Sequence, residues 1–389
     1  MKKSLFIKPL AAFALVFLFL GLSNSYAQNY WQQKVQYRIQ VRLDDSSHML
    51  HGNEEVVYQN NSPETLQYIW FHLWPNAYKN DKSAFAKQQL LNKKTKFHTA
   101  AAKDRGYIDS LAFEVNQQAV KVEFNDEFPD ICKIILNAPL LPGQSLVITT
   151  PFRVKIPNSF SRLGHVKQAY KITQWYPKPA VYDQDGWHEM PYLNQGEFYS
   201  EYGSFDVRIT VPANYVVGAT GDLQNPEEQT WLEQKAQEPL RAENDMGFPE
   251  SDKRLKTLRF TQQNVHDFAW FADKRYQVRK GEVALPYSGR KVTTWALFTQ
   301  KEAKLWERAI EYINDAVFNY SKWIGEYPYS QCTAVDGTIS AGGGMEYPMI
   351  SFNGGRPETD GTYTENTKNG MIGVIIHEVG HNFFPMIIN

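Results

Sequence analysis

The 389-residue sequence lacks most of the features that reveal a protein's class at sight. It has two cysteines, a net charge of −1, and no apolar run beyond residue 27 long enough to span a bilayer. Two cysteines cannot staple a small disulfide scaffold. Cys132 and Cys332 lie far apart, neither in a metal-ligand spacing, and read as buried free thiols. Lys+Arg 41 against Asp+Glu 42 offers no long-range field to recruit nucleic acid. Charged residues at 21% beside 42% apolar residues exclude a disordered tail. There is no Walker loop, dinucleotide fingerprint, nucleophile elbow or internal repeat. What the sequence does hold in quantity is aromatic side chains, at 14%, which favours a β-rich protein.

Residues 1–27 read as an export signal and stand outside the fold. Lys2, Lys3 and Lys8 form a basic start, Leu10 to Leu22 is apolar, and Ser25-Tyr26-Ala27 is a small-x-small cleavage site before Gln28. That apolar run is too short to span a bilayer comfortably and suits a signal peptide. The expectation is a secreted or periplasmic protein, with no stable membrane span after cleavage.

From Val35 to Thr220 short runs of period-two alternation follow one another, beginning with Val35 to Leu43 and separated by clusters such as Asn60-Asn61-Ser62-Pro63. They predict an antiparallel β domain, saddle- or sandwich-like, over 28–275. Residues 224–257 are crowded with charge and read as a solvated hairpin or loop. The texture changes near 276. Leu305/Trp306, Ile310, Ile313, Val317 and Tyr320 form a helical stripe over Lys301 to Trp323. A second helix is predicted over Asn369 to Phe384, so 276–389 reads as a mixed α/β domain. Trp175, Tyr176, Tyr182, Trp187 and Tyr192 surround Asp183-Gln184-Asp185-Gly186 and read as core aromatics beside a polar turn.

The chemistry concentrates in His377-Glu378-Val379-Gly380-His381. On a helix, positions i and i+4 share a face, so both imidazoles can reach one Zn²⁺ at about 2.0–2.1 Å. Glu378 is then placed as general base toward water at that ion. Val374, Ile375 and Ile376 before the motif and Phe383 and Phe384 after it bury the helix along one side. Burial makes two His and a Glu costly unless a metal compensates. Upstream stands Gly343-Gly344-Met345-Glu346-Tyr347. Successive glycines let a peptide backbone approach a strand closely. A carboxylate at the end of such a strand can pair with a substrate's free α-ammonium.

Together these two motifs resemble the gluzincin aminopeptidases, peptidase family M1. Gly343 to Tyr347 stands for the family's G-x-M-E-N, and His377 to His381 for its HExxH. Trp323 to Tyr329 and Gln174-Trp175-Tyr176-Pro177 are weaker echoes. The resemblance implies a thermolysin-like domain over 276–389, incomplete here, with zinc as cofactor held by His377 and His381. It implies Glu378 as base, Glu346 as anchor for the substrate amine, Gly343 and Gly344 along the peptide backbone, and Gln174 lining the pocket for the first side chain. The partner is a peptide with a free N-terminus, and no nucleic acid. Two positions depart from the pattern. Tyr347 replaces the motif's Asn, and the family's third ligand, a Glu, would fall at position 400. The 389 residues alone are therefore expected to be a fragment with little peptidase activity. A zinc endopeptidase using the same helix, and a non-catalytic β-rich binding module with a metalloprotease remnant, stay open as alternatives.

Overall fold

Alternation is what makes the first strand. In β1 (Lys34–Asp44) Val35, Tyr37, Ile39, Val41 and Leu43 are buried while the intervening residues face out, the pattern of a half-buried strand. In the computed structural model the described residues are 30–241, 247–337, 343–354, 362–384 and 386. The proposed signal peptide lies outside them. Residues 33–389 form one compact unit that is mostly β-sheet with few helices.

β1 pairs antiparallel with β2 (Met49–Gln59), and β2 with β3 (Ser145–Lys155). On its other side β1 runs parallel to β4 (Gly203–Pro212), which pairs antiparallel with β5 (Leu255–Val265). These strands form the body of a nine-stranded sheet. The parallel pair corrects the purely antiparallel expectation. Many residues separate β1 from β4, so the chain has room to return in the same direction, which a tight hairpin could not allow.

A five-stranded mixed sheet follows. In it β6 (Gln277–Ala284) pairs antiparallel with β7 (Lys291–Phe298). After α1 (Ala309–Trp323), β8 (Gln331–Asp336) lies parallel to β7. The short strands β9 (Gly344–Tyr347) and β10 (Ile350–Asn353) form a hairpin, with β10 parallel to β8 and β9 at the sheet's edge. Helix α2 (Glu365–His381) packs against β9, β10 and α1. The change of texture near 276 falls inside one shared core, where Val216 and Phe271 meet Leu297, Val335, Met345 and Phe352. Phe271 and Phe352 stack there with ring centroids 5.3 Å apart.

Two local readings are corrected. Residues 224–257 contain a helix, Pro226–Gln237. Pro226 begins it, Glu227 and Glu228 sit in its first turn, Lys235 sits in its last, and Leu232 is buried. The acids and the lysine complement the helix dipole, which a reading of charge density alone misses. The stripe over 301–323 is broken at Glu307 and Arg308 into Ala303–Trp306 and α1. Its first piece buries Trp306 beside Phe298 of β7, and α1 buries Ile313 and Val317. The aromatic cluster is core as expected, with Trp175, Tyr176 and Tyr192 buried and Tyr182–Asp183 paired to Gly186–Trp187. Cys132 and Cys332 are free and buried.

Candidate metal and peptide site

Helix α2 begins at Thr364, whose hydroxyl accepts from the Thr367 N–H at 3.1 Å and satisfies one of the free donors of the first turn. Met371, Ile375, Glu378 and Val379 form its buried face. His377 and His381 stand one turn apart, and their Nε2 atoms converge to 3.0 Å. His381 Nδ1 lies 3.2 Å from the Phe384 carbonyl. A carbonyl only accepts, so Nδ1 carries the proton and Nε2 presents a lone pair toward His377. One zinc ion at about 2.0–2.1 Å from each is compatible with their separation, and imidazole suits zinc. The two histidines thus fit the metal.

The strand β9 supplies the facing wall. Side chains alternate along a strand, so Gly344 and Glu346 share one face and Met345 and Tyr347 the other. Met345 and Tyr347 are buried. A Cβ at Gly344 would lie 2.1 Å from Glu378 Oε1, so the missing side chain is what lets the carboxylate approach the strand. Glu346, Glu378 and His381 each bring one possible ligand atom within 4.8 Å of the others. Glu378 is 4% exposed, and its Oε2 has no hydrogen-bond partner among the described residues. Burial, then the Glu346 carboxylate beside it, raises the Glu378 pKa to about 8. Burial also raises that of Glu346. Two carboxyls this close do not ionise independently. An unpartnered buried oxygen in such a pair is a group waiting for a proton or a cation.

Among the described residues the outer edge of β9 carries no further strand, so its backbone can receive an extended peptide by strand addition. Gly343 is exposed, and a Cβ there would stand 3.1 Å from Val374 of α2. Gln174 is elsewhere, 2% exposed and at φ +48°, a left-handed conformation uncommon for a residue with a side chain. Its amide meets Tyr347 and Asp267. The structure thus brings together six of the seven residues singled out from sequence: Gly343, Gly344, Glu346, His377, Glu378 and His381. Gln174 touches this group only through Tyr347.

Two more charged residues act on the site. Arg162 is buried and donates from Nε to Met345 Sδ at 2.9 Å, with Nη1 on the Leu193 and Asn194 carbonyls at 3.3 and 2.9 Å. Its charge opposes the upward shifts of both Glu346 and Glu378, and the charge of Glu197 adds to them. Neither carries a local sequence signal, since each reaches the site from its own loop, distant in the chain from β9 and α2.

The sequence matches no family model, and no curated protein matches it. The fold does find counterparts among solved structures. A variant of a two-domain M1 zinc metallopeptidase bound to L-arginine superposes with TM-score 0.50 at 14% identity, covering 91% of this chain and 65% of that chain. A variant of an M1 zinc metallopeptidase from Deinococcus radiodurans gives TM-score 0.50 at 14% identity over 92% and 65%. A two-domain M1 variant bound to L-tryptophan gives 0.52 at 15% over 91% and 65%. The chain therefore has the fold of M1 zinc metallopeptidases and spans 65% of the length of these structures.

Proposed function

We propose that this chain carries the site of a zinc-dependent aminopeptidase, which removes residues from the free N-termini of peptides. The observation that carries the proposal is the convergence of His377 and His381 Nε2 at 3.0 Å opposite the carboxylates of Glu346 and Glu378. His377 and His381 would hold zinc. When bound, zinc supplies Lewis acidity that activates water and polarises a carbonyl. Glu378 takes the proton released as water attacks and passes it to the departing amine. Glu346 pairs with the substrate's α-ammonium, and the open edge of β9 aligns the peptide backbone beside Gly343 and Gly344. A catalytic zinc takes three protein ligands. Among the described residues the two histidines are those assigned.

The test uses protein expressed from its complete reading frame. Bound zinc is counted by elemental analysis, and aminoacyl reporters are compared free and N-acetylated. The reading expects about one zinc per chain, lost in His377→Ala. It also expects turnover of the free-amine reporter alone, abolished in Glu378→Gln. Equal cleavage of the acetylated reporter points to an endopeptidase, and a chain without zinc or turnover points to a binding module. We also propose export, with a mature N-terminus at Gln28. Mass spectrometry of the protein from an exporting host should find that end, and retention of residues 1–27 would exclude cleavage. No helix among the described residues is long and apolar enough to cross a membrane.

A further inference from the structure

Glu346 faces α2, which packs against its strand on that side; the other side of the strand has a hold of its own. Among the described residues β9 lies at a sheet edge with one neighbouring strand, so about half of its backbone hydrogen-bonding groups are not paired within that sheet. Its opposite face is gripped by side chains from the N-terminal β region. Tyr347 Oη donates to Gln174 Oε1 at 3.2 Å, and Gln174 Nε2 donates to Asp267 Oδ2 at 3.2 Å. Asp267 is occupied on its other oxygen by Tyr176 Oη at 2.9 Å, the Phe268 N–H at 2.7 Å and Lys178 Nζ at 2.9 Å. Gln174, Tyr176 and Lys178 stand at every second position of one short irregular segment, and all three side chains reach Asp267. Each of them, with Asp267 and Tyr347, is 3% exposed or less.

The order of these bonds matters. Asp267 only accepts, so its oxygen fixes which end of the Gln174 amide is NH₂ and which is carbonyl. The carbonyl that remains must point at Tyr347. The amide cannot turn over without facing NH₂ against a hydroxyl and oxygen against a carboxylate. The left-handed backbone at Gln174 is consistent with a residue held by its surroundings rather than by its own preference. The position next to Glu346 is also where this sequence has Tyr in place of the motif's Asn. The phenol is long enough to cross to Gln174.

We propose that Gln174 is a positioning residue for Glu346: oriented by the Asp267–Lys178 ion pair, it fixes strand β9 from behind through Tyr347. This rests on the reading of Glu346 as the group that binds the substrate amine. Gln174 then acts on the first substrate residue without touching it.

The test is a double-mutant cycle of Tyr347→Phe, Gln174→Met and the pair, on protein from the complete reading frame. Amide exchange over 344–347 is followed by mass spectrometry, with melting curves and zinc content as controls. Kinetics use L-leucine p-nitroanilide. If the bond positions the strand, each single variant speeds exchange there and raises KM about tenfold while kcat changes less than about threefold, and the double variant is no worse than the worse single. Zinc content stays unchanged. Wild-type exchange and KM in Tyr347→Phe, or effects that multiply in the double variant, would overturn the proposal. Tyr347→Phe keeps the buried ring, so it decides the matter even where Gln174→Met does not fold. Absence of wild-type turnover would count against the aminopeptidase reading, whereas the exchange rates would still show whether the bond holds the strand.

Discussion

A Cβ placed on Gly344 falls 2.1 Å from Oε1, 2.5 Å from Cδ and 2.7 Å from Cγ of Glu378. All three atoms belong to the end of a flexible side chain, so Gly344→Ala should cost little stability while pushing the carboxylate off its place. A misplacement of about 1 Å at a reacting group can cost about 100-fold in rate. We expect Gly344→Ala to melt within a few degrees of wild type, bind zinc normally and lose about 100-fold in kcat. A variant with unchanged kcat would show that Glu378 does not work from this position. Both residues were legible in sequence, because glycine pairs and the HExxH spacing have meaning inside a few residues of chain. Their contact was not legible, since the sequence does not say which strand the helix faces.

At the scale of elements, α2 is the piece on which the site depends. Its N-cap bond from Thr364 anchors the first turn, and its last turn carries His381. Gly380 lets it approach α1, since a Cβ there would lie 3.0 Å from the Tyr320 ring. The Thr364→Ala substitution removes the cap and should cost about 1 kcal/mol in urea unfolding. Because the cap is four turns from the histidines, zinc affinity should change by less than about threefold. A large loss of zinc in this variant would mean that the helix forms only as a whole with the metal. The apolar pattern predicted a helix over Asn369 to Phe384, whereas α2 begins a turn earlier behind the Thr364 cap and ends at His381, because its polar first turn carries no apolar signal. The helix Pro226–Gln237 was missed because its single buried apolar residue, Leu232, leaves no apolar stripe to see.

At the scale of the whole molecule, stability carries its own pH dependence. Burial holds the imidazole of His72 down to about 3 and that of His266 to about 4, below the unfolded value of 6.5. Both are neutral in the fold. The unfolded chain takes up protons below pH 6.5 that the fold does not, so stability is present above that pH and is lost as pH falls through the folded values. For one such histidine, every pH unit between its unfolded and folded pKa removes about 1.4 kcal/mol, so the two together weaken the fold by several kcal/mol between pH 6.5 and 4. Unfolding in urea across this range should show the decline, and His266→Gln should make it shallower. An identical slope in that variant would assign the acid sensitivity to other groups.

Taken alone, the sequence determined what depends on neighbours along the chain. The alternation of β1 named its buried face, the i and i+4 histidines named one face of a helix, and the apolar start named a candidate leader. Periodicity carries such information because strand and helix repeat every two and 3.6 residues. Only the tertiary structure decided what meets across the chain. It set β4 parallel to β1, laid Gly344 against Glu378, brought Arg162 behind Met345, and joined Gln174 to Tyr347 on one side and Asp267 on the other. Those contacts depend on how sheets and helices pack in three dimensions, and no local periodicity encodes that.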